Sequence, residues 1–363
     1  FLPKPLNFVE TSKFDSRVIY SDAKINNSAM DSWRKFRLEN YKDLEGLKGS
    51  INKLIVNNDI MYFLQDYGFG KLSINPVSTV VDNDGASIIL GTGSVIQDFQ
   101  YISNNIGCNS FKAVVGTPRG LYWFDSNNKK AYAFRANGLE SISDTHGVKS
   151  LFSLTSDEIV NNFPKIVLGY DYKNNEVLYS IFDPGIVNAG ETIEFSEDIN
   201  KFTSRYSFYT PMYINAPTNL LSVNPIQSKR DELFEHNSYL SSTWYDTSFK
   251  TEIEFIVNKH PLNSKVFDNL EWYAESDTAG QDIINEAIFS TSTATKLVEL
   301  ISQSNPAYFP YKEVKEKLTK LPVPRTGGGY RFRDTYLKVL LSSDSATKLL
   351  LHYVKTLFRI SRR

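Results

Sequence analysis

Apolar residues along this chain fall in short runs broken by Asn, Asp, Gly and Ser, not in the three-to-four spacing of amphipathic helices. Three stretches, 51–74, 111–143 and 166–209, repeat one grammar. In the middle one, 111–115 (Phe-Lys-Ala-Val-Val) predicts a strand and Gly116-Thr117-Pro118-Arg119 a turn. Residues 120–124 (Gly-Leu-Tyr-Trp-Phe) predict a second strand, and Asp125-Ser126-Asn127-Asn128 a tight reversal. A third strand over 130–135 leads through Ala136-Asn137-Gly138, a strong hairpin signal, to a fourth over 139–143. In the first stretch, Asn57-Asn58-Asp59 separates 53–56 from 60–65; in the third, Lys173-Asn174-Asn175 separates 166–171 from 176–182. Antiparallel meanders starting at 51, 111 and 166 fit β-propeller blades with loop insertions better than a sandwich. Residues 212–223 and 233–236 are either the last propeller strands or the bridge out of it.

The flanks follow different patterns. Residues 1–27 read as an extended arm, either a linker from an upstream domain or a grip on a neighbouring subunit. Trp33, Phe36, Tyr41 and Leu44 are spaced as the stripe of a short helix over 28–47, with Ser28 or Asp31 as N-cap. In the second half, 249–257 alternates cleanly, with Ile253, Phe255 and Val257 on one face and Glu252 and Glu254 on the other. Residues 265–273, carrying Val266, Phe267, Leu270 and Trp272, predict another strand. Residues 280–300 read as a polar insertion with helical patches at 283–289 and 294–301. Alternation returns over 331–342 with Leu337, Val339 and Leu341, and Asp344-Ser345 turns the chain. Residues 347–359 suit a helix and a strand equally. The expected architecture is all-β: an N-terminal arm and short helix (1–50), a partial or complete β-propeller-like domain (51–236), and a β-sandwich-like C-terminal domain (237–363) with a few short helices.

Composition agrees with strands. Aromatic residues make up 13% of the 363, including 21 Tyr and 24 Phe, and the 41% hydrophobic content suffices for a core. A net charge of −1 gives no bulk attraction to nucleic acid or to an anionic membrane. The single cysteine, Cys108, excludes an intrachain disulfide framework and reads as a buried free thiol. No apolar run approaches the roughly 18 residues of a membrane helix, and no signal peptide is visible. The Asn26-Asn27-Ser28 sequon is weak by itself. Beginning at Phe1, the sequence reads as starting inside a longer polypeptide or as a processed product. Three meanders against a usual minimum of about four blades point the same way, with missing blades upstream or on another chain.

Candidate chemistry is sparse. His146, His236, His260 and His352 occupy no paired zinc spacing and read as satisfied core or surface residues. Cys108 lacks a nucleophile context, and no Gly-x-Ser-x-Gly elbow occurs. Leu90-Gly91-Thr92-Gly93-Ser94 lacks the Gly-Lys-Ser/Thr ending of a phosphate loop and reads as a turn. Glu252 and Glu254 read as a solvated strand face rather than a glycosidase pair. Asp125-Ser126-Asn127 and 171–175 lack full calcium-loop spacing, so turn chemistry explains them. Arg325, Arg331, Arg333, Lys338, Lys348, Lys355, Arg359, Arg362 and Arg363 form a basic C-terminal stretch. They are either solvated strand edges or contacts to DNA phosphate or an acidic partner. No catalytic, cofactor-binding or metal residue is assigned, and no cofactor is expected.

Several runs, in their order, carry a resemblance. They are Gly120 to Tyr132 (Gly-Leu-Tyr-Trp-Phe-Asp-Ser-Asn-Asn-Lys-Lys-Ala-Tyr), Gly169 to Tyr179 (Gly-Tyr-Asp-Tyr-Lys-Asn-Asn-Glu-Val-Leu-Tyr) and Thr192 to Glu197. Residues 202–209, Lys265 to Trp272 and Tyr330 to Val339 complete the set. Across residues 30–360 the chain resembles the tail muzzle (nozzle or stabilisation) proteins of crAss-like bacteriophages of gut Bacteroidota. The resemblance implies a non-enzymatic virion protein, assembled as a homo-oligomeric ring at the distal end of a short, podovirus-type tail. It implies a propeller-like domain closing or decorating the tube, an exit path for viral DNA, and contacts to ring proteins and tail fibres. It also implies a C-terminal portion or cleaved half of a larger protein, and leaves open whether this segment reaches the DNA channel. Two rival readings stand beside it. One is a carbohydrate-binding adhesin whose Trp123 and Trp244, on propeller loops, stack on sugar rings. The other is a propeller glycosidase, which needs two carboxyls roughly 5–10 Å apart.

Overall fold

The computed structural model describes residues 13–22, 34–74, 78–81, 87–90, 95–152, 165–182, 190–216, 218–226, 229, 231–237, 242–276, 284–301, 303–344 and 349–361. Two compact units, Phe1–His236 and Asn237–Arg363, divide the chain. Antiparallel sheets dominate both, and none closes on itself among the described residues.

The first unit is a series of sheets in chain order. The first sheet joins Ile51–Asn57, Ile60–Gln65, Gly68–Ile74 and Ile96–Ser103. The second joins Val114–Thr117, Gly120–Asp125, Lys130–Arg135 and Gly138–Ser141. The third joins Lys165–Asp171, Glu176–Phe182, Gly190–Ser196 and Lys201–Tyr206. A fourth, of three strands, joins Tyr213–Asn215, Leu220–Val223 and Leu233–Glu235. The first strands of successive sheets are the ones that approach each other: Ile51–Asn57 beside Val114–Thr117, that strand beside Lys165–Asp171, and that beside Tyr213–Asn215.

Residues of the first three sheets form one core. Gly120–Asp125 is buried at every position, which explains its unbroken apolar sequence: both faces are covered. Trp123 faces the first sheet, with its ring 4.7 Å from that of Phe69, and Tyr122 faces the third, 5.8 Å from Phe195. The third sheet approaches the fourth so closely that a Cβ at Gly169 would lie 2.5 Å from the Tyr213 ring. On the far face of the first sheet, Phe63, Leu72 and Ile96 pack with Val18 and Leu44.

Val18 belongs to a hairpin, Arg17–Ile19 paired with Tyr41–Asp43, and this corrects the helix expected over 28–47. Gly46–Lys48 is a single 3-10 turn; Ser28, Asp31 and Trp33 lie outside the described residues. The aromatic spacing imitated a helical stripe, but Phe36 is exposed and Tyr41 lies against the Arg17 guanidinium at 3.8 Å. Two boundaries also move. The strand expected over 111–115 is Val114–Thr117, and Gly138–Ser141 passes into a helical turn, Ile142–Thr145. The glycines of the 90–94 turn lie outside the described residues.

In the second unit, one sheet runs in the order Thr251–Val257, Leu337–Ser343, Glu286–Ser290, Thr295–Glu299. In the other, Lys265–Ser276 pairs with Leu318–Pro322, Arg333–Asp334 and Leu349–Ile360, and Glu313–Lys315 forms the edge. Phe267, Leu270, Trp272 and Leu321 of one sheet share a core with Ala287, Phe289, Val298, Val339 and Leu341 of the other. The helical patches expected over 283–301 are therefore a β-hairpin, with Ala287 and Phe289 alternating into the core. Residues 347–359 resolve as the strand Leu349–Ile360. Its register against Lys265–Ser276 shifts at Asp268 of that partner and at its own His352, and the extra residue at His352 breaks its alternation and made its period ambiguous.

Lys265 is fully buried, and its ammonium donates to the carbonyls of His260 and Asn263, each at 3.0 Å, and of Thr335. Lys265→Met would remove this donor, leaving the His260 carbonyl only the Asn263 N–H, at a cost of about 3 kcal/mol. Hydrogen exchange should then show loss of protection along Lys265–Ser276; unchanged protection would remove this role from the ammonium.

Candidate functional site

Polar groups tie neighbouring sheets of the first unit at defined points. Glu197 is a buried carboxylate between the second and third sheets. It accepts from Thr117 Oγ1 at 2.7 Å and from Tyr170 OH at 2.8 Å. Arg119 donates to the Glu197 carbonyl and to the Asp198 carboxylate, completing the clasp. Asn57 Nδ2 donates to Thr117 O at 2.8 Å, joining the first and second sheets. Asn215 Oδ1 accepts from the Tyr170 N–H at 3.0 Å, joining the third and fourth.

The third sheet also carries two acids on one face. Burial and the neighbouring Glu194 and Asp171 push the Glu176 carboxyl up to about 7, against the opposing hydrogen bond from Tyr206. Burial raises Glu194 as well, although Thr203 and Ser204 donate to it. Nearby, burial lowers His236 to about 4, with its Nε2 2.5 Å from Ser222 Oγ and its ring tilted over Phe208. Regular sheet register places Glu176, Glu194 and Ser204 on one face: Leu178 pairs with Glu194, and Glu194 with Ser204. Sequence reading missed this group, because its residues come from three separate strands.

The residues singled out from sequence are dispersed. His146 sits 5.7 Å from the Phe195 ring, His260 occupies a left-handed turn position, and His352 lies 3.4 Å from Glu275. Cys108 is buried, and burial pushes its thiol up to about 12, far from a reactive thiolate. Asp125 is buried, its Oδ1 accepting the N–H groups of Asn127 and Asn128 at 2.9 and 3.0 Å. Asp171 Oδ1 likewise accepts from Lys173 N at 2.9 Å, so both carboxylates serve their turns. Glu252 and Glu254 are exposed, and Glu254 pairs with Lys338 at 2.8 Å. Among the described residues, no three His, Cys, Asp or Glu side chains are grouped to hold a metal ion, and no helix is long and apolar enough to cross a membrane.

Trp123 requires a correction: it is fully buried and cannot form an exposed sugar platform, because both neighbouring sheets pack over its strand. Trp244 is half-buried in a two-residue strand. The basic stretch disperses too. Arg331 and Arg359 converge on Asp268, Arg325 donates to Gly329 O, and Arg333 donates to Ser361. Lys348, Arg362 and Arg363 lie outside the described residues.

A broad candidate interaction surface remains on the fourth sheet. Tyr213 and Ser222 point inward, while Ile214, Leu221, Val223 and Leu233 alternate to the opposite face, where Glu235 opposite Leu221 is the polar exception. Ile214 is 39% exposed and Leu233 53%, enough to leave an apolar face open.

A family model described as Crassvirus muzzle protein matches residues 3–226, and one described as Crassvirus muzzle protein C-terminal domain matches residues 241–317. The muzzle protein of Bacteroides phage crAss001 is 24% identical over 349 residues, covering 92% of this chain. The chain spans about a quarter of that relative's length, since the match covers 24% of it.

Opposed titrations should govern the junction of the third and fourth sheets. The raised Glu176 contributes stability that is fully present below about 4.5 and declines as pH rises toward 7. The lowered His236 contributes stability that is present above about 6.5 and is lost as pH falls toward 4. In Glu176→Gln, the decline in hydrogen-exchange protection of strand 176–182 between about pH 4.5 and 7 should shrink to the part that the raised Glu194 contributes, gaining about 1–2 kcal/mol over the unsubstituted chain at pH 8. A pH profile of protection unchanged from that of the unsubstituted chain would exclude Glu176 as a source of the decline.

Proposed function

The chain belongs to the crassvirus muzzle protein family, a family of structural virion tail components rather than of enzymes, and from that membership we propose that it forms part of the muzzle ring at the distal end of a phage tail. The consecutive meanders are read as blades of an incomplete β-propeller, and the second unit as a β-sandwich. The neighbouring first strands support the blade reading, since inner strands line the axis of a propeller. Shared packing between the two sheets of Asn237–Arg363 supports the sandwich reading.

One observation carries the assembly role: the series of sheets ends in a three-stranded sheet with an apolar outward face. An open edge and an apolar face in water favour association with further protein surface. In a ring, copies of the protein or adjoining tail proteins cover that face. DNA passage and fibre attachment are extensions of this role, resting on the family alone. Trp123 is buried and does not serve the adhesin reading.

The solution mass of the full chain, with negative-stain averages of the eluted species, tests the proposal. Rings, or large assemblies that Ile214→Glu and Leu233→Glu together dissolve, are expected. A monodisperse monomer forming a closed disc would overturn it.

A further inference from the structure

Within Asn237–Arg363, strand Lys265–Ser276 changes partners along one edge. Asn269 to Tyr273 pair with Leu318–Pro322, whereas Lys265 and Val266 pair with Arg333–Asp334. At the changeover, the register shift leaves Asp268 as an extra residue against Leu349–Ile360. Such a bulge re-aims a side chain. The Asp268 carboxylate takes Arg331 Nη1 at 2.5 Å and Arg359 Nε and Nη2 at 2.9 and 3.1 Å. One carboxylate thus orients two guanidiniums, which remain 52% and 64% exposed, with donors free to face a ligand.

A groove of about 900 Å³ opens over this group, within the usual range of roughly 300–1,000 Å³ for small-ligand sites. Arg325 also lines it, so three guanidiniums and one carboxylate leave two net positive charges. Tyr311 lines the same groove, 65% exposed and held edge-to-face by Phe309 at 5.1 Å. An adjoining hollow of about 420 Å³ shares Arg331 and contains Tyr330, which is 76% exposed. Preoriented cations therefore lie among exposed aromatic rings across two adjoining hollows.

We propose that this groove binds an acidic oligosaccharide, a chain of sugar rings bearing carboxylates. A sugar ring presents a C–H face that packs on an open aromatic ring, and a ring carboxylate matches the paired donors of a guanidinium. Extended peptides commonly bind by adding a strand to an open edge. At the groove that edge is closed: Phe267 N donates to Phe332 O at 3.2 Å, and Val323 N to Asp268 O at 2.9 Å. Nucleic acid requires neutralisation of many phosphates along a basic track, and two net charges on a chain of net charge −1 do not supply it.

Calorimetric titration of the full chain with a galacturonate hexamer tests the site, alongside neutral maltohexaose, hexaglutamate and an oligothymidylate. Saturable, salt-weakened binding of the galacturonate is expected, with no binding of the neutral chain. Tyr311→Ala and Arg359→Gln each change an exposed side chain and should weaken binding at least tenfold, about 1.4 kcal/mol; Tyr311→Phe should retain it. Absence of galacturonate binding overturns the proposal, as does equal binding by both weakening variants. Equal affinity for hexaglutamate or oligothymidylate also overturns it, because charge alone would then explain the contact.

Discussion

Two-sided burial of the second sheet is the constraint on which the first unit depends. Gly120–Asp125 has no solvent face, so its side chains must satisfy the first and third sheets at once. Trp123 packs on Phe69 and, at 6.0 Å, on Tyr132; Tyr122 packs on Phe195. Large aromatic side chains bury about 150–250 Å² each, which at roughly 25 cal/mol per Å² is about 4–6 kcal/mol of gross transfer free energy apiece. A net hydrogen bond contributes about 1 kcal/mol. Ring packing therefore holds the sheets together, while polar contacts decide where they meet.

The clasp around Glu197 performs that second task. Thr117 and Arg119 come from a strand end and turn of one sheet, and Tyr170 and Asp198 from strand and turn of the next. Sliding the sheets by one residue would strand a buried carboxylate without its donors, an error costing several kcal/mol. Asn57 and Asn215 fix the neighbouring junctions through backbone groups. Interruption of regular pairing at Asp268 opens a groove in the second unit where side chains face outward.

Legibility of the sequence varied with the locality of the signal. The hairpins at Asn58-Asp59 and at Lys173-Asn174-Asn175 were readable because turn chemistry acts over a few residues, and Asn58, Asp59 and Asn175 do adopt positive φ. Glu252 and Glu254 were readable as a solvated face because one covered side imposes a period of two. Leu349–Ile360 was not, because its two register shifts depend on the partner strand. The aromatic spacing over 28–47 misled because the pairing of Tyr41–Asp43 with Arg17–Ile19 joins distant segments. The Glu176, Glu194 and His236 group was invisible for the same reason, as was the groove around Asp268, whose arginines lie 63 and 91 residues away.

By itself, the sequence determined an all-β chain of repeated meanders, the faces of its simple strands, and the family order of its motifs, all written in neighbouring residues. Only the tertiary structure decided that Trp123 is core and not a binding platform, that Lys265 is a buried staple, and that Arg331 and Arg359 share one carboxylate. Those outcomes depend on which distant surface covers each side chain, and a segment's own pattern can mark a covered face without naming the surface that covers it.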